Sequence, residues 1–290
     1  MKAPFKTIAL IGKYKTPEIA ESLLRLAAFL AEQGVTVVVD NLTASHINPN
    51  PYRALALDEM KGQVDLAIVL GGDGTMLNIA RTLTPFGIPL VGVNQGRLGF
   101  LTDLSLDSMR RSIGAMLQGE LVTEQRMLLT AGVMRQGTEV FSSQAFNEVV
   151  VHRSNVSSMI EFEVRIDGEY VYTQRADGLI VSTPTGSTAY ALSAGGPIVH
   201  PSLNVMTLVP VCPHTLSNRP IVVSGESKIE ILMHRTEDVR VRFDSHTHFD
   251  LHLNDTLVVT RYPDPVRLLH PVGHSYYRTL REKLLWNKSM

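Results

Sequence analysis

The sequence predicts an α/β domain of the doubly wound kind followed by an all-β domain. Over roughly the first 120 residues, short continuous apolar runs alternate with stretches of helical period. From about residue 125 to 265 the period falls to two, and no amphipathic helix pattern of useful length appears. A last helical pattern, Ser275 to Trp286 with Tyr276, Leu280 and Leu284 at i, i+4 and i+8, is expected to pack back on the first domain. The expected partition is therefore 1–122, 123–268 and a returning tail at 269–290.

Each element has a local reason. Thr7 to Ile11 is a short apolar strand ending at Gly12. Thr16-Pro17 opens a helix, with Thr16 as N-cap and Pro17 in the first turn, where a missing N–H costs nothing. Ile19, Leu23, Leu26 and Leu30 mark its buried face and Gly34 its C-cap. Val35 to Val39 reads as a strand buried on both faces of a parallel sheet. Asn41 to Tyr52, rich in Asn and Pro, reads as loop. Asp65 to Leu70 is a second buried strand, and a helix follows from about Met76 to Leu83. Ile88 to Val93 is a further strand and Leu106 to Leu117 a further helix. In the second half, Glu161 to Ile166 alternates strictly, and Asp167-Gly168 signals a type I′ hairpin into Tyr170 to Tyr172. Gly178 to Ser182, Ile221 to Val223, Lys228 to Met233, Val239 to Phe243 and Leu251 to Thr260 read as strands, the last interrupted by a turn at Asn254-Asp255.

Composition narrows the function classes. Of 290 residues, 27 are Lys or Arg and 28 Asp or Glu, a formal net charge of -1 that argues against a broad nucleic-acid-binding surface. No apolar run approaches the roughly 18 residues of a membrane span, and the N-terminus lacks the apolar stretch of a signal peptide. The single cysteine, Cys212, rules out an intrachain disulfide. A cytoplasmic protein without membrane or nucleic-acid partners is expected.

Four groups of residues carry chemistry. Gly71-Gly72-Asp73-Gly74-Thr75 lies between a buried strand and a helix, where glycines let backbone N–H groups approach a phosphate. A carboxylate there repels phosphate unless it acts on a hydroxyl, takes up a proton or holds a bridging cation, and each of these points to phosphoryl transfer. The plainer alternative is a tight turn capped by Asp73. Asn147-Glu148, before the apolar run Val149 to Val151, could hold sugar hydroxyls, although a lone dipeptide is more simply a turn. Arg175-Ala176-Asp177-Gly178 leads into a run from Ser182 to Tyr190 so rich in hydroxyls and poor in bulk that a polar ligand lying on it would explain the composition. His246, His248, Asp250 and His252 share one strand face at spacing two, which permits a metal site, but a solvated face is the preferred reading. Cys212 near His214 lacks an orienting third group, so a small buried hydrophobe is expected there.

Taken in order, the Gly71–Thr75 motif, Asn94 to Leu101, Asn147-Glu148 and Asp177-Gly178 leading into Thr183 to Tyr190 closely resemble the NAD kinase family, through most of the chain. The first motif alone is shared with diacylglycerol-kinase and phosphofructokinase relatives. The resemblance implies a C-terminal β-sandwich, ATP as phosphoryl donor, a divalent cation (Mg²⁺ or Mn²⁺) and NAD as acceptor. It implies Asp73 as general base toward the 2′-hydroxyl of the adenosine ribose, with Gly74 against the substrate. Asn147 and Glu148 would bind NAD hydroxyls or its amide, Asp177 the nicotinamide end, and Thr188, Ala189, Tyr190, Ala191, Leu192 and Ser193 would line the dinucleotide pocket. Arg175 becomes a candidate for discriminating NAD from NADH, and Ser158 and His246 further ligand contacts; no protein metal ligands are assigned. A homodimer or homotetramer is expected. A lipid kinase fits poorly because its pocket should be apolar, and a non-catalytic NADP sensor poorly because a carboxylate beside phosphate weakens binding unless it is used.

Overall fold

The computed structural model describes residues 5–12, 17–48, 50–154, 159–215, 217–235 and 238–286. It divides into two compact units, one of residues 1–125 and 266–290 and the other of residues 126–265, against expected boundaries at 122/123 and 268/269.

The first unit runs β1 (Thr7–Gly12), α1 (Pro17–Glu32), β2 (Thr36–Asp40), α2 (Asn41–Ala44), β3 (Arg53–Leu55), β4 (Leu66–Leu70), α3 (Asp73–Leu83), β5 (Leu90–Asn94), β6 (Leu104–Ser105), α4 (Met109–Leu117) and β7 (Leu121–Arg126). The second holds β8 (Leu129–Arg135), β9 (Thr138–Ala145), β10 (Glu148–Arg153), β11 (Ile160–Ile166), β12 (Glu169–Ala176), β13 (Gly178–Ser182), α5 (Tyr190–Ser193), β14 (Val205–Val211), β15 (Ile221–Ser224), β16 (Ile229–Arg235), β17 (Val239–Phe243), β18 (Thr247–Leu251) and β19 (Thr256–Arg261). The chain then returns to the first unit as β20 (Val266–Pro271) and α6 (Tyr276–Lys283).

The first unit is an eight-stranded sheet in the order β3-β2-β1-β4-β5-β20-β7, with β6 beside β5. Its central pairs are parallel. Every residue of β4 and β5 is buried, as their uninterrupted apolar runs require of strands covered on both faces. One face packs Ile8, Leu10, Ile68 and Val91 against Leu23, Leu26 and Leu30 of α1 and Met109, Ile113 and Met116 of α4. Gly34 takes the left-handed conformation (φ 77°) just past α1, and the N–H of Val35 bonds back to the carbonyl of Leu30, as a glycine C-cap should. The proposed cap Thr16 lies outside the described residues.

The second unit is a β-sandwich of two six-stranded antiparallel sheets, β15-β14-β13-β10-β17-β18 and β12-β11-β16-β19-β8-β9. Its core is the alternate-residue set that period two demands: Val149, Val151, Leu179, Val181, Val241 and Phe243 from one sheet, Leu129, Phe162, Val164, Ile231 and Leu257 from the other. Asp167 (φ 55°) and Gly168 (φ 84°) are both left-handed and link Ile166 to Glu169 across a two-residue turn, the predicted type I′ hairpin. Pro210 sits inside β14 because β15 pairs only with Val205 to Leu208 and needs no N–H from position 210.

Several expectations are corrected. The Asn41–Tyr52 loop contains α2, whose N-cap is the last residue of β2: the Asp40 carboxylate accepts the N–H of Thr43 at 3.1 Å. The third helix starts at Asp73 rather than Met76, and the fourth at Met109 rather than Leu106. Cys212 is exposed on a left-handed residue (φ 45°), not buried. The C-terminal helix belongs to the first unit as expected; Ser275 caps it, Tyr276 and Leu280 are buried, and the Lys283 ammonium lies 5.6 Å from the Phe100 ring centroid.

Where β20 enters the first sheet it brings a buried charge. His270 has Asp103 on one ring nitrogen (3.0 Å) and Glu124 on the other (3.1 Å). Burial alone would depress its pKa, but the two carboxylates outweigh it and hold the ring cationic up to about 9. The resulting stabilisation is complete below the unfolded value of 6.5 and is lost as pH rises through about 9. The urea midpoint of unfolding should therefore fall between pH 7 and pH ~9.5, and His270→Leu should remove most of that slope. In the sandwich, Phe162→Ala empties a fully buried site and should cost about 3–5 kcal/mol in the same assay.

Candidate active site

In the first unit the site is built on the turn from β4 into α3. Gly71 donates its N–H to the carbonyl of Val93 (2.9 Å) and the Gln95 amide donates to the carbonyl of Leu70 (3.1 Å), tying this turn to the end of β5. Asp73 is the first residue of α3 and is half-buried. Its carboxylate accepts the N–H of Phe100 (2.8 Å), the N–H of Leu101 (3.0 Å) and the Thr102 hydroxyl (3.3 Å). An ionised carboxylate offers about four acceptor positions, so three hold Asp73 in place and one remains for a further donor. A Cβ on Gly99 would collide with this carboxylate and with the Thr102 hydroxyl, so the turn can close over Asp73 only with glycine there.

The glycines of the Gly71–Thr75 motif leave the start of α3 open rather than making a left-handed turn. None has positive φ. Gly71 lies against the Thr75 side chain, whereas a Cβ on Gly72 or Gly74 would meet open space. Their smallness therefore keeps the N-terminus of an eleven-residue helix uncovered, where N–H groups and the helix dipole favour an anion.

In the second unit, one face of the β10–β13 sheet carries most of the remaining candidates. Val149 and Val151 point into the sandwich core, which turns Glu148, Val150 and His152 to the other face. Val150 and Ile180 pack there against Ala191 of α5. Glu148 stands opposite Ser182, and His152 opposite Gly178, at the two ends of one ladder. At the first end Asp244 accepts three consecutive backbone N–H groups, from Phe146 (2.6 Å), Asn147 (2.7 Å) and Glu148 (3.1 Å). At the other end Arg153 pairs with Asp177 (3.1 Å), and both line a cavity of about 350 Å³ with His152, Tyr190, Arg242 and Ser245.

Burial perturbs two groups on this face, lowering the pKa of His152 and raising that of Glu148. Burial, and then the negative charge of Asp244, push the pKa of Glu148 up to about 8, and its Oε2 is buried without a partner among the described residues. At neutral pH such a carboxyl is largely protonated and can donate a hydrogen bond.

The hydroxyl-rich segment serves the backbone first. Thr183 donates to the carbonyl of Phe146 (2.7 Å), Ser187 to that of Pro184 (2.6 Å) and Thr188 to that of Thr185 (3.3 Å). Thr185 accepts from the buried Arg126 (3.2 Å). These bonds use several of the segment's hydroxyls within the fold. Gly186 lies where a Cβ would strike the carbonyl of Asn147, so the segment rests directly on the Asn147 turn. The exposed members are Tyr190 and Ser193, while Ala191 is buried and Thr188, Ala189 and Leu192 lie between.

Arg175 is exposed on β12 with its Nε 3.9 Å from Glu161, and Ser158 lies outside the described residues. His246 occupies an exposed turn before β18, His252 one after it, and Asp250 pairs with Arg240 at 2.7 Å. That strand face is solvated, as preferred. Sequence reading missed Phe100, Leu101 and Thr102 as partners of Asp73, and Asp244 altogether. The Asn94–Leu101 run held the signal for the first group; Asp244 has no motif around it.

The comparisons with known proteins bear on both units. Residues 8–121 match the ATP-NAD kinase N-terminal domain and residues 146–270 the ATP-NAD kinase C-terminal domain. The fold and these two matches define a nucleotide-dependent kinase architecture, and the chain belongs to the NAD kinase family. It is 61% identical over 283 residues to the NAD kinase of Nitrosomonas eutropha, covering 98% of this chain and 96% of that protein. It is 51% identical over 290 residues to the NAD kinase of Thiobacillus denitrificans, covering all of both. Among solved structures, yeast NADH kinase complexed with NADH aligns with a TM-score of 0.89 at 25% identity, covering 99% of this chain and 89% of that one. An NAD kinase from Archaeoglobus fulgidus in complex with ATP aligns with a TM-score of 0.73 at 27% identity, covering 97% of each chain.

Carbon-detected NMR of labelled glutamate should show one carboxyl titrating near the value of about 8 assigned to Glu148. That titration should move to lower pH in Asp244→Asn, which removes the neighbouring charge and keeps a side-chain oxygen to accept backbone N–H groups. An unmoved titration would separate Glu148 from Asp244.

Proposed function

We propose that this chain transfers the γ-phosphoryl group of ATP to the 2′-hydroxyl of the adenosine ribose of NAD, giving NADP, with Asp73 as general base. The observation that carries the reading is the Asp73 carboxylate, fixed by three donors with one acceptor position left, in a chain that belongs to the NAD kinase family over both its units. A ribose hydroxyl is a poor nucleophile at neutral pH, and a positioned carboxylate that takes its proton contributes roughly 10²–10⁴-fold. As the 2′-oxygen bonds to the γ-phosphorus, the bond to the β,γ-bridging oxygen breaks and ADP leaves with that electron pair. The open backbone at Gly72 and Gly74 leaves room for phosphate and ribose at the helix N-terminus.

On the second unit, Asn147 and a protonated Glu148 would hold hydroxyls or the amide of NAD. Asp177 would meet the nicotinamide end, and Thr188 to Ser193 would line the dinucleotide's path, with Ala191 set on the sheet and Tyr190 reaching the Asp177 cavity. Ser158 and His246 remain further contacts and Arg175 the candidate for telling NAD from NADH. The divalent cation, Mg²⁺ or Mn²⁺, would ride on the ATP phosphates and screen their charge. Mg²⁺ keeps several waters and binds largely through substrate phosphates, so no protein ligand set is assigned to it. Among the described residues no helix is long and apolar enough to cross a membrane, which accords with a cytoplasmic enzyme. A homodimer or homotetramer completes the reading, and light scattering on the purified protein tests it.

The deciding assay couples NADP formation from NAD, ATP and Mg²⁺ to an NADP-specific dehydrogenase. Asp73→Asn should lower turnover about 10²–10⁴-fold while calorimetry shows NAD affinity nearly unchanged; wild-type turnover in that variant removes the base. Run with NADH beside NAD, Arg175→Gln should change the ratio of the two rates, and an unchanged ratio clears Arg175 of that role.

A further inference from the structure

The donors that hold Asp73 lie on one tight turn, residues 99–102. The turn is closed by the N–H of Gly99 on the carbonyl of Thr102 (3.0 Å), and the Asn94 side chain donates to the same carbonyl (3.2 Å). Asn94 thus anchors the turn at its last residue, Thr102. A second anchor, made of charge, stands at the next residue, Asp103.

Asp103 faces two imidazoles from the returning chain. One carboxylate oxygen lies 3.0 Å from His270 Nδ1 and 2.8 Å from His274 Nδ1. The far side of His270 meets Glu124 on β7 at 3.1 Å. An ionised carboxylate only accepts hydrogen bonds, so both nitrogens of His270 carry protons and the ring is a cation. The His270 side chain is 3% exposed. His274 stacks on it with ring centroids 3.9 Å apart and planes 13° from parallel. His274 directs its Nδ1 at the same Asp103 oxygen as His270 does.

The same three side chains have ligand atoms close enough together to suggest a metal ion. The stacking argues against it. Parallel rings aim their lone pairs along parallel lines, and an ion about 2.0–2.1 Å from both nitrogens would lie far out of both ring planes. A hydrogen bond at 2.8–3.0 Å tolerates that offset far better.

We propose that His270 and Asp103 are positioning residues for phosphoryl transfer: the chain Glu124–His270–Asp103 fixes the far end of the 99–102 turn and thereby aims the Asp73 carboxylate. The proposal rests on Asp73 being the base. Neither residue touches substrate. Their effect is geometric, and a misplacement of about 1 Å at a reacting group can cost about 10²-fold.

Two variants of His270 separate this from a merely structural role. His270→Gln reaches toward the Nε2 position and keeps a donor for Glu124 while losing Asp103. His270→Asn reaches only to the Nδ1 position and keeps a donor for Asp103 while losing Glu124. Both lose the charge and the stack. His270→Gln should lower kcat about tenfold with both KM values within about twofold, and His270→Asn should recover most of that loss. In an Asp73→Asn background the residual rate should not fall further on adding His270→Gln, because the base being aimed is already gone. Equal losses in the two His270 variants that follow their melting temperatures, a loss carried by KM, or full multiplication with Asp73→Asn would each overturn the proposal. Should both His270 variants fail to fold, Glu124→Gln keeps an acceptor for His270 and should show a smaller kcat loss at constant KM; a wild-type kcat there would overturn it. Zn²⁺ that raises the melting temperature of EDTA-treated wild type but not of His274→Leu would replace the hydrogen-bond chain with an ion. If Asp73→Asn alone has wild-type turnover, the base assignment fails in that arm, whatever the His270 variants do.

Discussion

A carboxylate accepting adjacent backbone N–H groups is the interaction on which the candidate residues of each unit depend. Asp73 takes the N–H groups of Phe100 and Leu101, and Asp244 those of Phe146, Asn147 and Glu148. In each case a loop with no ladder of its own would leave buried donors unsatisfied. A side-chain anion from elsewhere in the sequence supplies the acceptor and sets the path of the loop. The two uses differ in outcome. In the first the anion is the candidate reagent and the loop is its holder; in the second the anion is the holder and the loop bears the candidate groups.

The charge left behind is put to different ends as well. Asp244 is nearly buried, and its field helps to keep the neighbouring Glu148 protonated at neutral pH. Asp103 is half-buried, but two imidazoles face it, and their hydrogen bonds keep it ionised against the effect of burial. Two similar carboxylates thus come to opposite proton states through their neighbours, with desolvation acting in the same direction on both.

What the sequence revealed and concealed follows from the range of the interactions. The two-domain fold class, the type I′ turn at Asp167-Gly168 and the glycine cap at Gly34 were legible because local chemistry decides them. The short helix at Asn41 was not, because its cap, Asp40, also finishes a strand. Strands such as Leu129–Arg135 and Val205–Val211 went unread: one mixes small and polar residues, and the other carries a proline tolerated only because its neighbour stops short. At the site, Asp73, Asn147, Glu148 and Asp177 stood out through motifs. Their holders did not, since Asp244 is separated from Asn147 by 97 positions and His270 from Asp103 by 167. The hydroxyl-rich segment spends several of its oxygens within the fold, on backbone carbonyls and, at Thr185, on the Arg126 guanidinium.

The return of the chain at Val266 also orders events in time. In the first sheet β20 stands between β5 and β7, yet it is made after the whole sandwich, only some twenty residues before the end of the chain. On a ribosome the residues of the second unit emerge as one continuous stretch and can close their own core, while the first sheet waits without the strand that lies between β5 and β7 and with the partner of Asp103 and Glu124 not yet synthesised. The first unit is therefore completed last although it begins first, and the groups around Asp73 receive their second anchor only as the final strand slides home.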